Sequence, residues 1–211
     1  AFSMKPPPQF IFLDAGNVLV SFDYTKGFRQ IAAETGVSHN EVEDFYTSEN
    51  FQPRLENGDL HWHEVHSAFC NHFSSDISFE LFGRAAGNIF TLKLEMIPVL
   101  ASLQRNHFRF GLLSNSCQPH WDYLCNSRYS LLPHAFQTIV LSHKVFVGKP
   151  DKAIYHYAQK KVGVPAHRIF FCDDLTCNID AARTVGWDAE IFTTARQLIR
   201  DLNDRGVCLG M

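Results

Sequence analysis

Phe10-Ile-Phe-Leu-Asp14-Ala-Gly16-Asn-Val-Leu-Val20 is an apolar run that stops at a single carboxylate, with a glycine two residues further on. The run is rich in Ile, Leu and Phe and too short for a buried helix, so it reads as a central strand covered on both faces. Such a strand delivers Asp14 to its carboxyl end, the edge where open α/β sheets build their ligand crevices. Gly16 permits a close backbone approach, which suits an anionic or metal-bound ligand. A strand-end aspartate is also an ordinary turn or N-cap residue, so its meaning depends on the rest of the chain.

Beyond this strand the chain shows two kinds of pattern. From about Asp23 to Thr91 apolar residues recur only at helical spacing, and no strand is expected there. Helices are expected from Tyr24 to Gly36, from a capping box at Ser38 and Glu41 to about Ser48, over Trp62 to Phe73 and over Ser78 to Ile89, with a turn at Asn57-Gly58-Asp59. From Leu94 onward, helices alternate with apolar strands. Met96, Ile97, Val99, Leu100 and Leu103 form one helical face. Strands are expected at Phe108 to Leu113, Thr138 to Leu141, Arg168 to Cys172 and Ala189 to Phe192, with helices at about Gln118 to Asn126, Asp151 to Val162, Asn178 to Val185 and Thr194 to Asn203. The alternation argues for an α/β, doubly wound parallel sheet of Rossmann-like topology, and the helical block is an insertion at its carboxyl edge. The expected division is a core of residues 9–22 and 94–211 and a helical cap of residues 23–93.

Composition narrows the function. The 211 residues are 45% hydrophobic and 19% charged, ordinary globular usage that excludes disorder and fibrous designs. A formal charge of -3 with no basic stripe argues against a nucleic-acid partner. Nineteen phenylalanines are unusually many, and their bulk is expected in the core and in a walled pocket. No apolar stretch reaches the roughly 18 residues of a membrane span, and no signal peptide is read before the first strand. Six cysteines without Cys-x-x-Cys spacing are expected to be buried free thiols, which with the missing signal favours a cytoplasmic location. Ala1-Phe2-Ser3 ahead of Met4 reads as a foreign leader, and Pro6-Pro7-Pro8 as an extended lead-in.

Polar groups of complementary chemistry stand after four of the strands or loops. They are Asp14, Ser114-Asn115, Lys149 in Val147-Gly-Lys-Pro-Asp151, and Asp173-Asp174. In a parallel sheet they can converge on one edge, and phosphoryl transfer is the chemistry that needs them together. Close carboxylates repel unless a hard divalent cation such as Mg²⁺ joins them. A lysine and a serine hydroxyl then hold the remaining phosphate oxygens. Asp14 can attack phosphorus to give an aspartyl-phosphate that water hydrolyses. Each motif alone is a common turn or cap; their order after successive strands is not.

In these motifs the chain resembles the haloacid dehalogenase-like (HAD) hydrolase superfamily. Asp14-Ala-Gly16-Asn-Val-Leu looks like its first motif, Leu112-Leu-Ser114-Asn its second, Gly148-Lys149-Pro-Asp its third, and Phe170-Phe-Cys-Asp173-Asp174-Leu-Thr-Cys-Asn178 its fourth. Together with His120-Trp121 and Ile154-Tyr155, the set is similar to a branch of subfamily I with a small helical cap, the one containing sugar-phosphate phosphatases of the α-glucose-1-phosphatase type. The resemblance implies Asp14 as nucleophile, Ser114 and Lys149 as catalytic phosphate binders, and Asn115 and His120 as further substrate contacts. It implies Mg²⁺ held by Asp14, the Gly16 carbonyl and Asp174, with Asp173 placing the metal waters or Lys149 and Asn178 bracing the loop. The expected substrate is a small phosphorylated metabolite.

Gly16 departs from the pattern. Most phosphatases of the superfamily have a second Asp there, whose carbonyl meets the metal and whose side chain is the general acid and base. Glycine keeps the carbonyl and loses the acid, a contribution of about 10² to 10⁴ in rate. A replacement can come from the cap, where His61, His63, His66 and His72 crowd around Trp62 in one segment. Two other functions fit the same departure: a metal-independent 2-haloacid dehalogenase, against which Asp173-Asp174 argues, and a catalytically impaired phosphate-binding or regulatory protein.

Overall fold

The computed structural model describes residues 6–126, 129 and 131–210; Ala1-Phe2-Ser3, read as a foreign leader, lie outside the described residues. In chain order the elements are β1 (Phe10–Leu13), β2 (Val20–Phe22), α1 (Tyr24–Thr35), α2 (His39–Ser48), α3 (Phe51–Glu56), α4 (Trp62–Phe73), α5 (Phe79–Gly87), β3 (Phe90–Leu92), α6 (Met96–Arg105), β4 (Phe110–Ser114), α7 (Gln118–Asn126), α8 (Leu131–His134), β5 (Thr138–Leu141), α9 (Ser142–Val145), α10 (Lys152–Val162), β6 (Ile169–Asp173), α11 (Thr176–Thr184), β7 (Asp188–Ile191) and α12 (Ala195–Asn203).

The central sheet has the order β5-β4-β1-β6-β7, all parallel. β1 is central because both of its faces are apolar. Phe10 and Phe12 pack with Ile154, Tyr155 and Ala158 of α10 and Ile179 and Ala182 of α11, while Ile11 and Leu13 pack with Val99 and Leu103 of α6 and Leu198 and Leu202 of α12. All four β1 side chains are fully buried, a gain of roughly 1.5–3 kcal/mol for each. The sheet is therefore doubly wound, as the alternation of patterns implies. Gly111 keeps β4 close to its neighbours, since a Cβ there would collide with the Thr138 carbonyl and press on the Phe10 ring.

Helices α1 to α5 form the inserted block around their own apolar cluster, which includes Phe28, Phe51, Leu55, Trp62, Phe69 and Phe82. Cys117, from the loop after β4, is buried in the same cluster and joins the block to the sheet.

The structure corrects the sequence reading in several places. The stretch expected to be helical throughout ends in strand β3, which pairs antiparallel with β2 where the chain leaves and re-enters the sheet domain. Each strand is three residues long and finds its partner some seventy residues away, so neither produces a local pattern. Helix α3 is not expected from the sequence because it has six residues and contains Pro53. Ile97, expected on the inner face of α6, is exposed. All six cysteines are free, but Cys177 and Cys208 are exposed and only Cys117 and Cys172 are fully buried. No described helix is long and apolar enough to cross a membrane.

Candidate active site

β1, β4 and β6 each end at the same edge and place one polar residue there, namely Asp14, Ser114 and Asp173. The Asp14 N–H continues the ladder by donating to the Cys172 carbonyl (3.0 Å), which fixes where its side chain emerges. Lys149 arrives by a longer route, from the loop after α9. Its backbone is clamped by Asn115, whose Oδ1 accepts from the Lys149 N–H (2.8 Å) and whose Nδ2 donates to the Lys149 carbonyl (2.9 Å). Asn115, expected to contact substrate, is thus committed to holding Lys149 while also lining the pocket.

The buried Lys149 ammonium bridges two buried carboxylates, with Nζ 2.9 Å from Asp14 Oδ1 and 2.5 Å from Asp173 Oδ2. The contact with Asp173 is a hydrogen bond; that with Asp14 Oδ1 is a close charge pair without hydrogen-bond alignment, so this fully buried oxygen has no hydrogen-bond donor. Asp173 is otherwise saturated. Asn178 Nδ2 donates to both of its oxygens (3.0 Å each) and the Leu175 N–H to Oδ1 (2.8 Å), while Tyr155 Oη donates to the Asn178 carbonyl (2.8 Å). Burial pushes Asp14 up to about 6, with Lys149 opposing and the Asp173 charge adding to the rise. Burial also works against the Lys149 charge, but the facing carboxylates of Asp14 and Asp173 outweigh it and hold the ammonium above its ordinary value.

Asp14, Asp173 and Asp174 each bring a carboxylate oxygen within 4.8 Å of the others. Three clustered acidic groups, two of them sharing one ammonium, leave an excess of negative charge, and an all-oxygen set in which buried Asp14 Oδ1 has no hydrogen-bond donor fits a hard cation of the Mg²⁺ type. Asp174 Oδ2 accepts from Asn17 Nδ2 (2.9 Å). Asn17 takes a left-handed conformation (φ 54°), which Asn tolerates better than most residues. In this turn the Val20 N–H donates to the Ala15 carbonyl and the Asn17 N–H to the Val20 carbonyl, bonds in which the Gly16 carbonyl takes no part.

Beside the carboxylates lies a pocket of about 70 Å³, lined among others by Gly16, Ser114, Asn115 and His120. Phe22, Tyr24 and Phe90 wall it, each in ring contact with another of its aromatic groups: Phe22 with Tyr24 at 5.5 Å, and His120 with Tyr24 at 5.7 Å and with Phe90 at 5.5 Å. His120 is where its place in the sequence predicts, but burial, helped by His143, pulls its pKa down to about 4, so the imidazole is neutral. Trp121 turns instead into the core. None of His61, His63, His66 and His72 lines this pocket; His61, His63 and His72 are exposed, and His66 Nε2 bonds the Ile77 carbonyl (2.8 Å). Glu56 and Tyr24 of the helical block do line it, and no local pattern marks either one. A larger groove of about 550 Å³ between α5 and α7, with Trp62 and Arg84 in its walls, contains none of the predicted site residues.

The family described as haloacid dehalogenase-like hydrolase matches residues 9–186. A phosphatase of Mycobacterium tuberculosis is 25% identical, the match covering 94% of this chain and 95% of that protein. A drimenol cyclase of Aspergillus calidoustus is 24% identical over 92% of this chain, which spans only 36% of the cyclase's length. Among solved structures, a HAD family enzyme of Bacteroides thetaiotaomicron in complex with magnesium and inorganic phosphate superimposes with a TM-score of 0.73 at 20% identity, covering 88% of this chain and 94% of that one.

Proposed function

The chain belongs to the haloacid dehalogenase-like hydrolases, and from that premise we propose that it is a Mg²⁺-dependent phosphatase acting on a small phosphorylated metabolite of the sugar-phosphate class. The observation that carries this reading is the meeting of the Asp14, Asp173 and Asp174 carboxylates, the first two of them paired with the Lys149 ammonium. A dehalogenase needs no cation, and in one the same carboxylates would be repulsion without compensation.

Asp14, Asp174 and the Gly16 carbonyl would hold the ion. Asp173, already bonded to Lys149, Asn178 and the Leu175 N–H, orients the loop instead of ligating. When bound, Mg²⁺ offsets the charge that gathers on the phosphoryl oxygens. Lys149 Nζ, fixed between its two carboxylates, takes one phosphate oxygen, and the buried Ser114 hydroxyl, which in the free protein rests on the Asn115 carbonyl (3.2 Å), turns to donate to another. An Asp14 oxygen attacks phosphorus, the bond to the leaving oxygen breaks, and water then hydrolyses the aspartyl-phosphate. Residues 23–93 act as the cap over a core of residues 9–22 and 94–211, with Tyr24, Phe90 and His120 selecting substrate together.

Hydrolysis of p-nitrophenyl phosphate tests the reading. Chelation of divalent ions should lower the rate by on the order of 10²-fold or more, restored by added Mg²⁺, and Asp14→Asn should lower it by roughly 10⁴-fold or more. Equal rates for wild type and Asp14→Asn, or metal-independent halide release from chloroacetate, overturns it.

A further inference from the structure

Glycine at position 16 leaves this phosphatase without the usual donor of a proton to the departing oxygen. The space is not simply vacant, because a Cβ on Gly16 would come within 3.1 Å of the Phe22 ring. A replacement must therefore reach the pocket from elsewhere, and its polar walls narrow the choice. Asn115 is committed to the Lys149 backbone. His120 is buried against Tyr24 and Phe90 as a neutral imidazole, and burial makes the Tyr24 hydroxyl a more reluctant donor still. Glu56 is the carboxyl among the pocket's lining residues.

Glu56 is held there by structure on both sides. Phe51 and Leu55 anchor α3 in the apolar cluster of the helical block. Tyr46 Oη donates to Gln52 Oε1 (2.8 Å), and Gln52 Nε2 donates to Glu56 Oε1 (2.6 Å), which orients the carboxyl from behind. The next two residues are seated on the sheet edge: Asn57 Oδ1 lies 2.9 Å from where a Gly148 Cβ would stand, and Gly58 lies against Phe146. Gly148 immediately precedes Lys149, so the end of α3 rests on the loop that carries the phosphate-binding lysine.

We propose that Glu56, brought to the Gly16 pocket by the helical insertion, is the general acid and base of this enzyme, taking the place of the carboxyl absent from position 16. The proposal rests on the phosphatase reading and adds to it. Its surroundings suit the role. Burial raises Glu56 above the ordinary carboxyl range, with Gln52 and the Lys149 charge opposing. The other ionisable groups facing it are the hydroxyls of Tyr24 and Tyr46 and the Cys117 thiol, all pushed up by burial and therefore uncharged. In the first half-reaction the Asp14–phosphorus bond forms as the bond to the leaving oxygen breaks, and the Glu56 proton passes to that oxygen to release an alcohol. In the second, the Glu56 carboxylate takes a proton from the water that attacks phosphorus, inorganic phosphate leaves Asp14, and Glu56 is again protonated.

The test compares kcat/KM for an alkyl phosphate, whose alkoxide needs a proton to leave, with that for p-nitrophenyl phosphate, whose phenolate needs it far less. Because kcat/KM ends at release of the leaving group, Glu56→Gln should lose about 10²- to 10⁴-fold on the alkyl ester and much less on the aryl one. Loss of the base should also produce a burst of p-nitrophenolate, as the aspartyl-phosphate outlives its formation. Glu56→Asp, which keeps the carboxyl, should regain part of the alkyl rate, and it carries the same comparison if the Gln variant folds poorly. Equal losses on the two esters, or no loss on either, overturn the role of Glu56 alone. A wild-type enzyme that cleaves neither ester overturns the phosphatase reading and this one with it.

Discussion

On the sheet side of the Asp14 pocket, Lys149 is clamped through its backbone by Asn115 and through its ammonium by Asp14 and Asp173, and Asp173 is bonded again by Asn178 and the Leu175 N–H. On the facing side, Phe22, Tyr24 and Phe90 meet one another or His120 in tilted or edge-on ring contacts, and the Glu56 carboxyl is held by a single glutamine. The first wall is a buried ionic network in which each member fixes the next. The second is an aromatic surface on which side chains can be exchanged without unpairing a charge. On the proposed reading the first wall takes the phosphoryl group and the second the rest of the substrate, so substitutions on the two walls should fail in different ways.

Lys149→Met should break the first wall most severely. It leaves Asp14 and Asp173 facing each other in the interior without their cation, and removing one partner from a buried ion pair costs about 3–5 kcal/mol. In metal-free buffer a chain of this size should then melt roughly 6–20 °C lower, with activity down by on the order of 10²- to 10³-fold through the lost phosphate contact. A variant melting with the wild type would mean that the network does not brace the site. Asn178→Ala should do less. It strips two donors from a fully buried carboxylate, a loss of about 1–3 kcal/mol, but leaves the Lys149 contact in place. Thermal melts and kcat should fall together, because the Asn178 amide donates to both oxygens of Asp173. A melt shift with unchanged kcat would confine Asn178 to folding.

The same division governs what the sequence could reveal. Asp14, Ser114 and Asp173 stand at the ends of strands buried on both faces, and such strands announce themselves as continuous apolar runs, so the residue at the end of each run is legible. Lys149 is legible for a weaker reason, its place in a Gly-Lys-Pro-Asp turn. Asn115 is legible too, but its bonds to the Lys149 backbone depend on two loops meeting in space. Glu56 has no comparable mark: its helix is short, its neighbours carry no period, and its proximity to Gly16 exists only once α3 is laid on the sheet edge. The four histidines of the helical block show the converse, a conspicuous local cluster that the fold leaves outside the lining of the pocket. Strands β2 and β3 escape a sequence reading for the reason that hides Glu56, since a three-residue strand is defined by its partner.

Phe22→Ala probes the second wall at its most permissive point. Phe22 is 40% exposed, so its truncation should cost stability little, within about 1 kcal/mol. No charge or buried hydrogen bond is lost with it, and the Lys149 network should keep its geometry. What changes is room: the ring that now stands 3.1 Å from the position of a Gly16 Cβ would be gone, and the pocket would widen beside the leaving group. Aryl and bulky sugar phosphates should therefore gain relative to small alkyl phosphates, by a KM ratio of no more than about 200-fold, the scale on which an apolar pocket discriminates, while kcat on p-nitrophenyl phosphate moves little. A collapse of kcat across all substrates would mean that Phe22 supports the catalytic groups directly, and the two walls would then be one structure.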